Sequence, residues 1–184
     1  EENMKKLLAV LLVLSVVPAA SAADLNLKGG TMQLGGNVAF MVDMVMPEEG
    51  DSVTGYQLNL SPSVGYFLMD NLELIGELGI SMGFGDLYEK SAKGLSLGVG
   101  AKYFMPMGSM SVYFGLTLGM GFFIPDEGDT TKMLGIAVPI GILYALNEWV
   151  AIDLGLRIQY NMGLDKQGST LNLPIGYFGV QAFF

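Results

Sequence analysis

The chain predicts an all-β fold, an eight-stranded antiparallel up-and-down barrel that crosses a membrane, and three observations predict it. Large apolar residues alternate with small or polar ones in segment after segment, and no stretch sustains the 3.6-residue period of a helix. The polar phase of the alternation is built from Gly and Ser rather than from Lys, Glu and Thr. Long and short connections take turns along the chain, which is the arrangement of a membrane barrel with loops at one rim and tight turns at the other.

Residues 1–22 read as an export leader with a few residues upstream. Met4-Lys5-Lys6 is the basic head, Leu7 to Val17 the apolar run, and Ala20-Ser21-Ala22 the small-residue motif that places cleavage before Ala23. The run is too short for a membrane-spanning helix, which needs roughly 20 apolar residues. Residues 23–184 then form a single barrel domain, because no linker-like stretch divides them. The chain has no Cys. Without disulfides, an exported protein depends on packing and backbone hydrogen bonds, and a closed barrel supplies the second because it has no unpaired edge.

The eight strands are expected over Thr31 to Met44, Val53 to Phe67, Leu72 to Phe84, Lys93 to Phe104, Ser111 to Ile124, Lys132 to Tyr144, Trp149 to Met162 and Thr170 to Phe184. The connections Val45 to Ser52, Gly85 to Ala92, Pro125 to Thr131 and Gly163 to Ser169 are longer and mostly acidic. Leu68 to Asn71, Met105 to Met110 and Ala145 to Glu148 are short. In a membrane barrel the long set is extracellular and the short set periplasmic.

Parity within the strands separates two faces. In the third strand Leu72, Leu74, Leu78, Ile80, Met82 and Phe84 oppose Glu73, Glu77, Gly79, Ser81 and Gly83. In the fourth, Leu95, Leu97, Val99, Ala101 and Tyr103 oppose Gly94, Ser96, Gly98, Gly100 and Lys102. In the seventh, Val150, Ile152, Leu154, Leu156, Ile158 and Tyr160 oppose Ala151, Asp153, Gly155, Arg157, Gln159 and Asn161. A soluble sheet would also segregate its faces, but its wet face would be dense in charge. A polar face of Gly and Ser suits the cramped interior of an eight-stranded barrel, whose lumen holds little more than side chains. The apolar face is therefore expected to meet lipid, over strands longer than the roughly 9 to 11 tilted residues a crossing requires.

Aromatic residues collect near the strand ends. Tyr66, Phe67, Tyr103, Phe104, Tyr113, Phe114, Tyr144, Trp149, Phe183 and Phe184 lie near the turns; Phe40, Phe84, Tyr88, Phe122, Phe123 and Tyr160 lie near the loops. Both groups are expected to form interfacial girdles. Tyr177 and Phe178 are the exceptions, lying within a strand.

The leader, the phrases "SPSVGYFLMDNLEL" and "GLSLGVGAKYF", and a last strand ending in Phe184 together resemble the small outer-membrane β-barrel proteins, a family that includes the OmpA transmembrane domain and OmpX. The resemblance covers the whole chain after the leader. It implies a Gram-negative outer-membrane location. It also implies a terminal aromatic, Phe184, read by the barrel assembly machinery, with Phe178, Val180 and Ala182 at the alternate outward positions. Leu171, Leu173 and Ile175 are out of phase with that set, and a β-bulge near Gly176 is expected to restore parity. The OmpA barrel holds an acid/base cluster in its lumen. Here the matching strands offer Glu73 and Glu77, Lys102 and Arg157; the sixth strand supplies no acid, and Asp153 on the seventh is expected to take that part. Independently of the resemblance, charges in a narrow lumen must be paired.

Catalysis is not expected. The chain has neither His nor Cys, the residues that most readily supply a base or nucleophile near neutral pH. Glu73 and Glu77 stand beside Lys102 and Arg157 as a structural ion cluster rather than an acid/base pair. No cofactor or resident metal is expected. The acidic loop residues Glu48, Glu49, Asp51, Asp126, Glu127 and Asp129 lack the full ligand set of a calcium loop, and loose divalent bridging to lipopolysaccharide phosphates suits them better. A net charge of −9 argues against nucleic acid as a partner. The expected partners are outer-membrane lipid, lipopolysaccharide and the assembly machinery, around a monomer. Three function classes remain: an envelope-structural or surface-contact barrel with a plugged polar lumen, a narrow pore or hydrophobic-solute conduit, and a soluble secreted ligand-binding barrel.

Overall fold

The computed structural model describes residues 24–45, 53–85, 92–124, 130–164, 169–172 and 176–184. The expected leader and cleavage point lie outside these residues. So do Tyr88, the acidic residues Glu48, Glu49, Asp51, Asp126, Glu127 and Asp129, and the side chain of Phe123.

Nine strand segments follow in order: β1 Met32–Val45, β2 Val53–Met69, β3 Leu72–Gly85, β4 Ala92–Met107, β5 Met110–Ile124, β6 Thr131–Ala145, β7 Val150–Gly163, β8 Ser169–Asn172 and β9 Tyr177–Phe183. Each of β1 to β7 pairs antiparallel with the next, β7 pairs with β9, and β9 pairs with β1. The ring closes at eight positions, and Met32 and Phe184 exchange backbone hydrogen bonds of 2.7 and 2.9 Å at the seam. Among the described residues every strand except β8, which pairs with β7 alone, has at least two neighbours. Membrane-spanning sheets need this closure, because lipid offers no hydrogen bonds to an open edge.

β8 and β9 share the eighth position. Gln159 faces Asn172 and Gly155 faces Tyr177, so five steps on the last strand match four on β7. The registers of β8 and β9 on β7 therefore differ by one residue, the parity change expected of a bulge near Gly176. Residues 173–175 are not among those described.

Two of the turns are tighter than the sequence suggested. Met107 pairs with Met110 across a two-residue hairpin in which Gly108 takes φ +67°, a conformation that suits Gly in hairpin turns. Asp70 and Asn71 close β2 to β3, with Asn71 at φ 65°. Asn147 holds the third turn, where its side-chain oxygen accepts from the backbone N–H groups of Trp149 and Val150, both at 2.8 Å. Two prolines sit where the ladders lapse. β2–β3 pairing jumps from Leu60↔Ile80 to Ser63↔Glu77 around Pro62, and β5–β6 pairing from Phe114↔Ile140 to Thr117↔Ala137 around Pro139, because proline has no N–H to donate.

The faces fall as parity dictates. Leu34, Leu74, Leu97, Val99, Leu116, Leu118, Leu154 and Leu156 are exposed on the outside, while Glu73, Glu77, Lys102, Thr117 and Asp153 are buried within. A soluble barrel would reverse this. The girdles are thinner than expected. Tyr66, Tyr103, Phe114, Trp149 and Phe184 are exposed near the turns, and Phe40, Tyr56, Phe84 and Tyr160 near the loops. Tyr56 stacks with both Phe40 and Phe84 at 5.9 Å between centroids. Phe67, Phe104, Tyr113 and Phe183, expected in the girdle, instead point inward and are buried. Their parity explains it: Phe67 follows Ser63 and Gly65, Phe104 follows Lys102, and Phe183 follows Gln181 on the inward phase.

Candidate functional site in the barrel lumen

The lumen is layered from the turn end upward. Its floor is a cluster of Leu27, Phe67, Phe104, Tyr113, Leu143, Ala151 and Phe183, all buried. Phe104 packs against Phe67 and Tyr113 with ring centroids at 5.5 and 5.3 Å, and Phe67 against Phe183 at 6.1 Å. Leu27 reaches this cluster from a strap that crosses the barrel mouth ahead of β1. The strap is pinned where Asn26 N–H donates to the Glu148 carbonyl (3.1 Å), where the Leu27 carbonyl accepts from Asn71 N–H (2.8 Å), and where Gly30 N–H donates to the Phe67 carbonyl (2.8 Å). The sequence carried no periodic signal for the strap, which has no regular structure of its own.

Above the floor lies a polar layer. The Tyr113 hydroxyl donates to Asp153 Oδ1 at 2.7 Å, and Gln181 Nε2 donates to Asp153 Oδ2 at 2.9 Å. Tyr113 and Tyr177 are in hydroxyl–hydroxyl contact, and Gln33 donates to Gln181 and, at 3.4 Å, to Ser63. Glu73 and Lys102 are register partners on β3 and β4. Lys102 makes no ion pair among the described residues; its Nζ stands 5.2 Å from the Tyr113 ring centroid, close enough for cation–π attraction. The two residues thus share one buried layer without an ion pair between them. Glu73, Lys102 and Asp153 border a residual void of about 10 Å³ together with Phe104, Tyr113 and Leu143.

One step higher, Arg157 Nη1 donates to Glu77 Oε2 at 2.7 Å, and Arg157 Nη2 donates to Thr117 Oγ1 at 3.1 Å. The structure thus brings together all five charged residues singled out in the sequence, but divides them into two storeys. Asp153 is satisfied by Tyr113 and Gln181 rather than by an ion pair. Tyr113, Tyr177, Gln181, Gln33 and Thr117 were missed as members of the network. Their inward parity was a usable signal, but the girdle reading took Tyr113 first, and Tyr177 lies beyond the parity change.

Above Glu77–Arg157 the lumen widens into a cavity of about 250 Å³ lined by Asn37, Gln57, Asn59, Ser61, Ser81, Ser96, Gln159, Asn161 and several glycines, together with apolar residues that include Ala39, Met133 and Ala137. Side chains crowd the turn end, and a chamber with many polar lining residues lies at the loop end.

Phe184, expected to carry the assembly signal, is 57% exposed on the outer face at the seam. Phe178 and Val180 are exposed on the same face and Ala182 is half-buried.

Comparison with known proteins agrees with this geometry. In solved structures the chain is similar to Neisserial surface protein A (TM-score 0.62, 18% identity, covering 85% of this chain and 98% of that one). It is similar to the N-terminal β-barrel domain of Pseudomonas aeruginosa OprF (0.55, 18%, 85% and 98%). It is also similar to the outer membrane protein OprG of Pseudomonas aeruginosa (0.51, 19%, 85% and 97%). No curated protein matches the chain. At these identities the structural likeness speaks for the fold alone. The family model described as outer membrane protein beta-barrel domain matches residues 7–180, and with lipid-facing strands closed into eight positions around a polar lumen, this chain belongs to that family of integral bacterial outer-membrane barrels.

Proposed function

We propose that this protein is a non-enzymatic envelope barrel with a plugged lumen, serving a structural or surface-contact role rather than acting as a pore. The observation that carries the reading is the two layers of buried side chains at the turn end, the end with the short connections, which in membrane barrels is periplasmic. The floor of Phe67, Phe104, Leu143 and Phe183 under Leu27 excludes water, and the Asp153–Tyr113–Tyr177–Gln181 network occupies the section above it. An ion crossing here would have to shed its hydration between aromatic rings. The absence of His and Cys from the chain, and the engagement of Glu77 and Asp153 with Arg157, Tyr113 and Gln181, support the non-enzymatic part. The partners that go with this reading are outer-membrane lipid and lipopolysaccharide around a monomeric barrel, and the assembly machinery engaging the last strand through Phe184.

Planar-bilayer conductance of the refolded protein tests the proposal. The expected result is the absence of steady current in the wild type and its appearance when Lys102→Ala or Arg157→Ala loosens the storeys. A wild type that conducts steadily, unchanged in either variant, would reject the plug in favour of a narrow pore.

A further inference from the structure

The two halves of the lumen are filled very differently, although the same strands build both. At the turn end the inward positions carry Phe67, Phe104, Tyr113, Leu143 and Phe183. At the loop end β4 and β5 place Gly94, Gly98, Gly119 and Gly121 inward, and the result is the cavity of about 250 Å³. An eight-stranded barrel has an interior that side chains can fill, and an unfilled one forfeits packing. The open volume is thus built by sequence, from glycines where other inward positions hold rings.

The lining defines the chemistry that fits. Glu77 and Arg157 neutralise each other across 2.7 Å, and the other described lining residues are uncharged. Among the described lining residues a charged solute would find no spare counter-charge. A purely apolar solute would leave amides and hydroxyls unmatched. Two buried donors already lack partners, Asn59 Nδ2 and Arg157 Nε, and both belong to residues that line the cavity. Asn and Gln amides and Ser hydroxyls offer donors and acceptors together, which is the complement of a hydroxyl-bearing molecule. Tyr177 adds an aromatic wall. The polar layer and aromatic floor below it make the chamber a dead end rather than a passage.

We infer that the loop-end chamber is a binding pocket for a small, neutral, polyhydroxylated solute of the monosaccharide or polyol class.

The test uses the full chain refolded in detergent micelles, with glucose as the neutral probe, gluconate and glucosamine as charged counterparts of the same size, and saturation-transfer NMR followed by titration as the readout. Glucose should bind saturably, on the order of millimolar as befits so few ligand atoms, and should not be displaced by equal gluconate or glucosamine. Two variants locate the site. Asn59→Leu removes the unpaired donor. Gly121→Leu fills the chamber, since a Cβ there meets only the Ser96 Cβ at 3.9 Å. Each should weaken glucose at least tenfold with the heat-dependent gel mobility of a folded barrel retained. Absence of saturable glucose binding to the wild type, equal binding of either charged analogue, or undiminished binding to folded Gly121→Leu would overturn the inference. The wild-type selectivity needs no variant, so the test holds even if both substitutions prevent folding. It is also separate from the conductance test, since a leaking barrel can still bind glucose and a sealed one can fail to.

Discussion

The hydroxyls of Tyr113 and Tyr177 meet across two strands that place no side chain between them. Along one row of the lumen Tyr113 faces Gly141, Gly141 faces Gly155, and Gly155 faces Tyr177. The glycines are required for space. A Cβ on Gly141 would lie 2.5 Å from the Tyr113 hydroxyl oxygen, and one on Gly155 would collide with the Tyr177 hydroxyl. Asp153 then reads both the bond from Tyr113 and the bond from Gln181.

Gly141→Ala should therefore act as overpacking and cost about 1 to 3 kcal/mol, measured by urea unfolding in lipid vesicles. In a Tyr113→Leu background, where the ring no longer occupies the slot, the same substitution should cost less. The coupling in that double-mutant cycle is the quantity to measure, and purely additive losses would show that the slot does not hold Tyr113.

Arg157 and Glu77 form the upper storey at 2.7 Å, with the Arg157 side chain 24% exposed. Breaking a fully buried pair costs about 3 to 5 kcal/mol, but water from the chamber above can solvate a Glu77 left alone. Arg157→Ala should fall below that range in urea unfolding. Thr117→Val, which removes one acceptor and no charge, should have the smaller effect of the two.

The outward face has its own test. Val99 is 65% exposed in the middle of β4, so Val99→Arg puts a charge into the hydrocarbon and should cost about 2 to 4 kcal/mol. Unfolding in vesicles with no change in stability would mean that this face does not meet lipid.

Phe184 combines two roles that can be separated. Its backbone exchanges both hydrogen bonds with Met32 at the seam, whereas its ring points outward. Deleting the residue removes both; Phe184→Ala keeps the ladder and removes the ring. If the assembly machinery reads the aromatic, both variants should slow outer-membrane insertion in cells, measured by fractionation and heat-dependent gel mobility. Normal insertion of Phe184→Ala would assign the residue to the seam alone.

The strap predicts a loss of another kind. Leu27 is buried among Phe67, Phe104 and Phe183, and Leu27→Ala should cost about 2 to 5 kcal/mol by leaving a cavity in that floor. The same urea experiment measures it, and a neutral result would detach the strap from the fold's stability.

The alternation of side chains determined most of the architecture, because period two in a strand is a local property. Each residue's face follows from its neighbours two positions away. Parity placed Glu73, Lys102 and Asp153 in the lumen and Leu97 and Leu154 outside it, and the composition of the inner phase chose lipid over water for the outer one. Parity also held the information that Phe67, Phe104 and Phe183 point inward, but their position near strand ends suggested a girdle instead. Who touches whom across the lumen was decided only by closure of the barrel. Tyr113 and Tyr177 are 64 residues apart, and Arg157 and Glu77 are 80 apart. Their meeting depends on strand stagger around the ring, which no single strand encodes. The strap was also invisible in the pattern, since Leu27 owes its burial to a mouth that exists only once the ring has closed. The chamber has the same origin: a glycine in a strand reads as permission for close approach, and whether that space is taken by a tyrosine, as at Gly141, or left open, as at Gly121, depends on what the opposite wall delivers.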